Sequence, residues 1–209
     1  MILHSHSWGD GPPVACVHGV TGHGERFELL ARQLEGRRVV AFDLRGHGRS
    51  GYQPPWSLET HVADLAESAR ALGIERAPWV GFSFGGRLVA DLALAEPDLV
   101  ESLALLDPAL QLPADFALEA AEEERSEETF ASADEAIEAR IATGTLVSTP
   151  RAYLEAEMRQ HLEPTPDGRL RARYSRAAAI AAWGEMARPA PPPAPVPTLL
   201  VLGSESHVP

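Results

Sequence analysis

The stretch Gly81-Phe82-Ser83-Phe84-Gly85-Gly86 lies between an apolar run ending at Val80 and a helical pattern beginning at Arg87. Its G-x-S-x-G spacing is that of a nucleophile elbow, a turn so tight that the serine is held in a strained backbone conformation. Small residues two before and two after the serine let the neighbouring chain approach without a clash. A helix starting at the serine turns its unpaired N–H groups and positive dipole end towards any anion formed there. Taken alone, the pattern also fits a Gly-rich strand-to-helix connection in any α/β protein.

Upstream, apolar runs alternate with helical patterns. Residues 2–8 read as a short strand before the turn Gly9-Asp10-Gly11-Pro12, and Val14-Ala15-Cys16-Val17 suits a strand buried on both faces. That run empties into His18-Gly19-Val20-Thr21-Gly22-His23-Gly24; Phe27, Leu30, Ala31 and Leu34 then follow at helical spacing. Val39-Val40-Ala41-Phe42 is the next strand, leaving through Asp43-Leu44-Arg45-Gly46-His47-Gly48-Arg49-Ser50. A second helix opens at Ser57, carries Leu58, Val62, Leu65, Ala69 and Leu72 on one stripe, and stops at Gly73. Downstream of the elbow come a helix to Pro97 and a strand over 100–106, closed by Asp107-Pro108. Such alternation with short connections predicts a mostly parallel sheet covered on both faces.

The pattern changes after Pro108. Residues 113–187 read as helices without clear core strands, with a capping box at Ser132-Ala133-Asp134-Glu135 and a helix start at Thr149-Pro150. Arg169, Arg171 and Arg173 alternate around Leu170 and Ala172 as an extended stretch, and the Glu122-Glu123-Glu124 run reads as a solvated helix face. A proline-rich connector over 189–197 returns the chain to a last strand, Thr198-Leu199-Leu200-Val201-Leu202. That strand is an apolar, uncharged edge, open to pairing with another chain.

A net charge of −12 over 209 residues offers no basic face for phosphates, which argues against nucleic acid or an anionic membrane as partner. The lone Cys16 excludes an internal disulfide and suits a reducing, cytoplasmic setting. No leader-like segment or membrane span is visible, and the alanine-rich, arginine-rich composition suits a high-GC bacterial source.

These motifs, in this order, resemble the α/β-hydrolase fold family. His18-Gly19 matches its oxyanion segment, 43–50 its D-x-R-G-x-G-x-S loop, 81–86 its elbow, and 197–203 the strand leading to its acid. The resemblance implies an α/β core over 1–110 and 196–209, with a helical cap over 111–195 inserted after the sixth strand. It also implies that the C-terminal strand and the histidine loop are missing from this sequence.

On that resemblance Ser83 is the nucleophile of a hydrolase acting on small, mostly apolar carbonyl substrates, such as esters, thioesters, lactones or C–C bonds. The backbone N–H groups of Val20 and Phe84 are the oxyanion donors, and Gly19, Val20, Phe82 and Phe84 border the substrate. Serine in place of aspartate argues against epoxide hydrolysis and dehalogenation. Glu205 is the first choice for the acid and Asp107 the alternative. None of His4, His6, His18, His23, His47, His61 and His161 stands where the base is expected, and His207 follows Gly203 too closely. Phe116, Tyr153, Tyr174 and Trp183 of the cap either shape the acyl pocket or form cap core. No cofactor is implied, and no His/Asp/Glu cluster has metal-ligand spacing in sequence. The competing reading is a non-catalytic ligand-binding or interaction module that keeps the pocket without a base.

Overall fold

The apolar runs on either side of the elbow become adjacent strands of one sheet in the computed structural model, which describes residues 1–142, 149–204 and 206. The chain runs β1 (Ser5–Trp8), β2 (Pro13–Val17), a 3-10 turn (Gly24–Phe27), α1 (Glu28–Gln33), β3 (Arg38–Phe42), α2 (Leu58–Ala71), β4 (Ala77–Phe82), α3 (Phe84–Ala95) and β5 (Val100–Leu106). It continues through α4 (Ala114–Glu123), α5 (Ala133–Ala142), α6 (Arg151–His161), β6 (Leu162–Pro164), β7 (Leu170–Ala172), α7 (Arg176–Met186) and β8 (Thr198–Val201). Strand order in the main sheet is β1-β3-β2-β4-β5-β8; only β1 runs antiparallel, against β3.

Period-2 alternation explains why β2 is apolar throughout. Ala15 and Val17 face one core with Phe42, Leu65, Trp79, Phe84, Leu88 and Leu92; Val14 and Cys16 face the other with Phe27, Val39, Ala41 and Val80. The first core is covered by α2, α3 and α7. On the opposite face α1 and the 3-10 turn supply Phe27, Leu30, Ala31 and Leu34. Within the first core Trp79 stacks on Phe42 at a centroid distance of 6.0 Å and donates its indole N–H to Leu99 O at 3.2 Å.

Helix ends follow the sequence signals. Ser57 Oγ accepts from Thr60 N at the start of α2, and Gly73, at φ 71°, supplies the left-handed residue just past its end. Half of the expected capping box forms: Ser132 Oγ accepts from Glu135 N, while the Glu135 carboxylate accepts from Ala131 N, one residue before the N-cap. Differences are local. Phe27 closes a 3-10 turn instead of opening a long helix, and α6 begins at Arg151 with Pro150 as its N-cap residue. The expected extended stretch around Arg171 is β7, and it pairs antiparallel with β6, a strand that the helical pattern before it does not display. The insertion expected after a sixth strand follows the fifth strand of this chain.

Two compact units result: Met1–Arg125 with Tyr174–Pro209, and Ser126–Arg173. Of the stretch expected as cap, α4 and α7 therefore pack with the sheet. Ser126–Arg173 has its own core of Ala136, Ile137, Leu154, Met158 and Leu162. No described helix is long and apolar enough to cross a membrane.

Candidate active site

Ser83 sits where β4 ends and α3 begins, at φ 52° and ψ −119°, a backbone region that L-residues rarely occupy. Its N–H donates to Leu106 O at 3.1 Å, and its carbonyl accepts from Gly86 N at 2.9 Å and Ala109 N at 3.1 Å. With a further bond from Arg87 N at 3.3 Å, four backbone bonds, to the first turn of α3 and to the stretch around Asp107, fix the strained residue. Its hydroxyl does not cap α3, and among the described residues no side chain hydrogen-bonds to it.

The glycines explain how the turn is tolerated. A Cβ on Gly81 would lie 2.4 Å from Gly85 O, and one on Gly85 would lie 2.2 Å from Val17 O. One on Gly19 would lie 2.9 Å from Ser83 Cβ, so the loop after β2 passes directly over the serine. Val20, the next residue, is half-buried against the first core, while Phe84 is fully buried as the first residue of α3. Of the two expected oxyanion residues, Phe84 follows Ser83 directly and Val20 follows Gly19, the residue that lies against Ser83.

The loop after β3 holds this arrangement. Asp43 Oδ1 accepts from Gly24 N at 2.7 Å, and Oδ2 accepts from Arg49 N at 2.9 Å. His47 Nε2 accepts from Thr21 N at 3.3 Å while its Nδ1 faces Arg45 O at 3.2 Å. His18 Nε2 accepts from Leu44 N at 2.9 Å, leaving its Nδ1–H to donate to Gly19 O at 2.7 Å. Arg45 is anchored in turn by a bidentate pair with Asp64, at 2.7 and 2.8 Å. The spacing of these residues marks a loop but does not display what each one holds. Their work is positional, and the dense D-x-R-G-H-G-x-S pattern was the signal.

Burial pushes the pKa of His47 down to about 4 and that of His61 to about 3, and drives His18 well below its ordinary value. His18 and His47 spend both ring nitrogens on backbone partners. His61 lies buried with its ring 5.6 Å from that of Phe84, edge to face. His4 and His6 lie on and beside β1, and His161 ends α6 in the other unit. No described histidine hydrogen-bonds to Ser83. His207 and Glu205 lie outside the described residues.

Asp107, at φ 45°, directly follows β5 beside the elbow, in the register step after Phe82 opposite Leu106. Its carboxylate accepts from Gly203 N at 3.3 Å and Ser206 Oγ at 2.8 Å. The alternative acid is therefore tied to the very loop that carries the first-choice acid.

Phe82 is 41% exposed and borders an apolar cavity of about 220 Å³ with His18, Phe27, Leu30 and Leu106. A larger cavity of about 340 Å³ contains no elbow residue; it is bordered by Leu58, Glu59, Arg87, Asp91 and Arg188. Of the four aromatics expected around an acyl pocket, Phe116 and Trp183 pack edge to face at 6.4 Å and join the first core. Tyr174 stacks on His47 at 6.1 Å and donates to Glu124 at 2.9 Å, whereas Tyr153 is exposed on α6 of the other unit.

The fold recurs in known proteins. A family model described as alpha/beta hydrolase fold matches residues 12–208. Lipase LipV of Mycobacterium tuberculosis is 37% identical over 188 residues, which is 89% of this chain and 72% of that protein. The sn-1-specific diacylglycerol lipase ABHD11 of Danio rerio is 34% identical over 102 residues, 47% of this chain but 32% of its own length. A crystal structure of E-2-(acetamidomethylene)succinate hydrolase superposes with a TM-score of 0.82 at 28% identity, covering 95% of this chain and 75% of that one.

Proposed function

The chain belongs to the α/β-hydrolase fold family, and from that premise we propose that it is a serine hydrolase of small, mostly apolar carbonyl compounds. The observation that carries this reading is Ser83 itself. Backbone bonds hold it in a strained conformation at a helix start, and its hydroxyl is spent on no structural bond.

Ser83 Oγ attacks the carbonyl carbon as its proton passes to a base, and the carbonyl oxygen becomes an oxyanion. The N–H groups of Val20 and Phe84 receive that charge, helped by the positive end of α3. Collapse expels the leaving group with the proton and leaves an acyl-serine, which water cleaves by the same steps in reverse. Glu205 is our first choice for the acid, with Asp107 as the alternative. The base lies outside the described histidines. Gly19, Val20, Phe82 and Phe84 border the substrate, and the apolar cavity at Phe82 and the lipases among the relatives support an apolar acyl group. We further propose that the edge of β8 pairs with the same edge of a second copy, since Leu199, Leu200 and Val201 are exposed along it.

The test is labelling with a fluorophosphonate probe beside p-nitrophenyl acetate turnover, comparing the chain with Ser83→Ala. Labelling that vanishes in the variant, with turnover lowered by at least ~10³-fold, is the expected result. Absence of labelling in folded protein would overturn the reading and favour the non-catalytic binding module.

A further inference from the structure

Away from the elbow, the fold assembles donors that lie far apart in sequence. β1 pairs antiparallel with β3, His6 opposite Ala41 and Ser5 opposite Phe42. One step further Asp43 N donates to His4 O at 2.9 Å, so His4 and Asp43 stand opposite each other on one face. His6, two residues along, shares that face. Its ring meets that of His4 edge to face at 4.8 Å. His6 Nε2 lies 3.2 Å from Asp43 Oδ1, and its Nδ1 lies 3.5 Å from Glu25 Oε1. One ligand atom from each of His4, His6 and Asp43 can be chosen so that all lie within 4.8 Å of one another. Spacing along the sequence does not display this cluster, because cross-strand register creates it.

We propose that His4, His6 and Asp43, with Glu25 beside them, bind a late first-row divalent cation such as Zn²⁺ and so tie β1 to the loop after β3. An ion bonded at ~2.1 Å holds neighbouring ligand atoms ~3.0–3.4 Å apart in octahedral or tetrahedral geometry. The 3.2 Å between His6 and Asp43 already meets that. The longest leg of the triangle must close by ~1.5 Å, within reach of a rotation of the half-buried His4 side chain. Asp43 is 1% exposed and aimed by the Gly24 and Arg49 amides, which leaves its carboxylate fixed in place.

The donors are in the forms a cation needs. Burial works to raise the pKa of Asp43, but the hydrogen bonds from His6, Arg49 and Gly24 outweigh it and hold the carboxyl below the usual carboxylate range. Burial also lowers the pKa of His4, in the direction that favours a neutral imidazole. Two imidazoles with one carboxylate suit Zn²⁺, Co²⁺ or Ni²⁺ over Mg²⁺ or Ca²⁺. The simpler alternative is a hydrogen-bonded contact of His6 with Asp43 and Glu25 and no ion.

Equilibrium dialysis of the full chain, free of any histidine tag and stripped with chelator, separates the two. The expected result is one Zn²⁺ per chain, a Co²⁺ derivative with ligand-field absorption, and a melting temperature raised by roughly 5–10 °C at ~100-fold excess over Kd. His4→Ala keeps the His6–Asp43 contact yet should weaken Zn²⁺ binding at least ~10-fold. His6→Ala should do the same; should it fail to fold, His4→Ala decides alone. No stoichiometric ion in the parent chain, or undiminished binding by His4→Ala, would overturn the site and leave only the hydrogen-bonded contact. None of these readouts depends on turnover, so the hydrolase reading stands or falls separately.

Discussion

His61 buries its whole ring against Phe84, and neither ring nitrogen meets a partner among the described residues. Such a group stays neutral in the fold, its pKa lowered by burial to about 3, while in the unfolded chain it protonates near the ordinary value of 6.5. The sign follows directly. Above pH 6.5 neither state binds the proton and stability is unaffected; below it the unfolded chain gains a proton that the fold refuses. His47, lowered to about 4, acts the same way. Each should therefore cost the fold ~1.4 kcal/mol per pH unit between 6.5 and its folded pKa. Urea midpoints at pH 7.5 and pH 5 should show a large drop in the parent chain and a smaller one in His61→Leu. That variant should also gain ~1 kcal/mol at pH 7.5, because it removes two buried polar atoms without partners. An equal drop in both proteins would mean that His61 is not buried neutral.

At the scale of elements, α3 and β2 approach so closely that only glycine fits between them. Gly85→Ala would press a methyl group against Val17 O, a backbone atom that cannot swing aside. We expect a loss of about 3 kcal/mol, read as a lower melting temperature. Gly184 on α7 is the counter-case, exposed and with nothing within 4 Å of where an alanine methyl group would stand. Gly184→Ala should stabilise the chain by up to ~1 kcal/mol through helix propensity. The two glycines look alike in sequence, since both sit in helical stretches with alanine close by. What made Gly85 readable was its place two residues after Ser83 in a motif; the clash itself is a property of the packed structure. Likewise Asp43, Arg45 and His47 announced a loop by their spacing, but their bonds to Gly24, Asp64 and Thr21 join residues brought together only by the sheet.

For the molecule as a whole, β8 is the open end of the described sheet, with Leu199 60% and Leu200 53% exposed. An uncharged edge of this kind should associate, so size-exclusion chromatography with light scattering should find a concentration-dependent dimer that Leu200→Lys disperses. A monomer at all concentrations would remove the pairing proposal. The chain's own alternation of apolar runs, glycine turns and helical stripes determined the layered α/β architecture and the serine at its elbow, because both arise from local periodicity and tight-turn sterics. The same pattern separated a helical stretch after Pro108 without showing that α4 and α7 join the sheet body while Ser126–Arg173 packs by itself. Only the tertiary structure decided that division, the positional work of the buried histidines and the meeting of His4 and His6 with Asp43. Each depends on cross-strand register and on burial, which arise from contacts between distant segments and leave no period in the sequence.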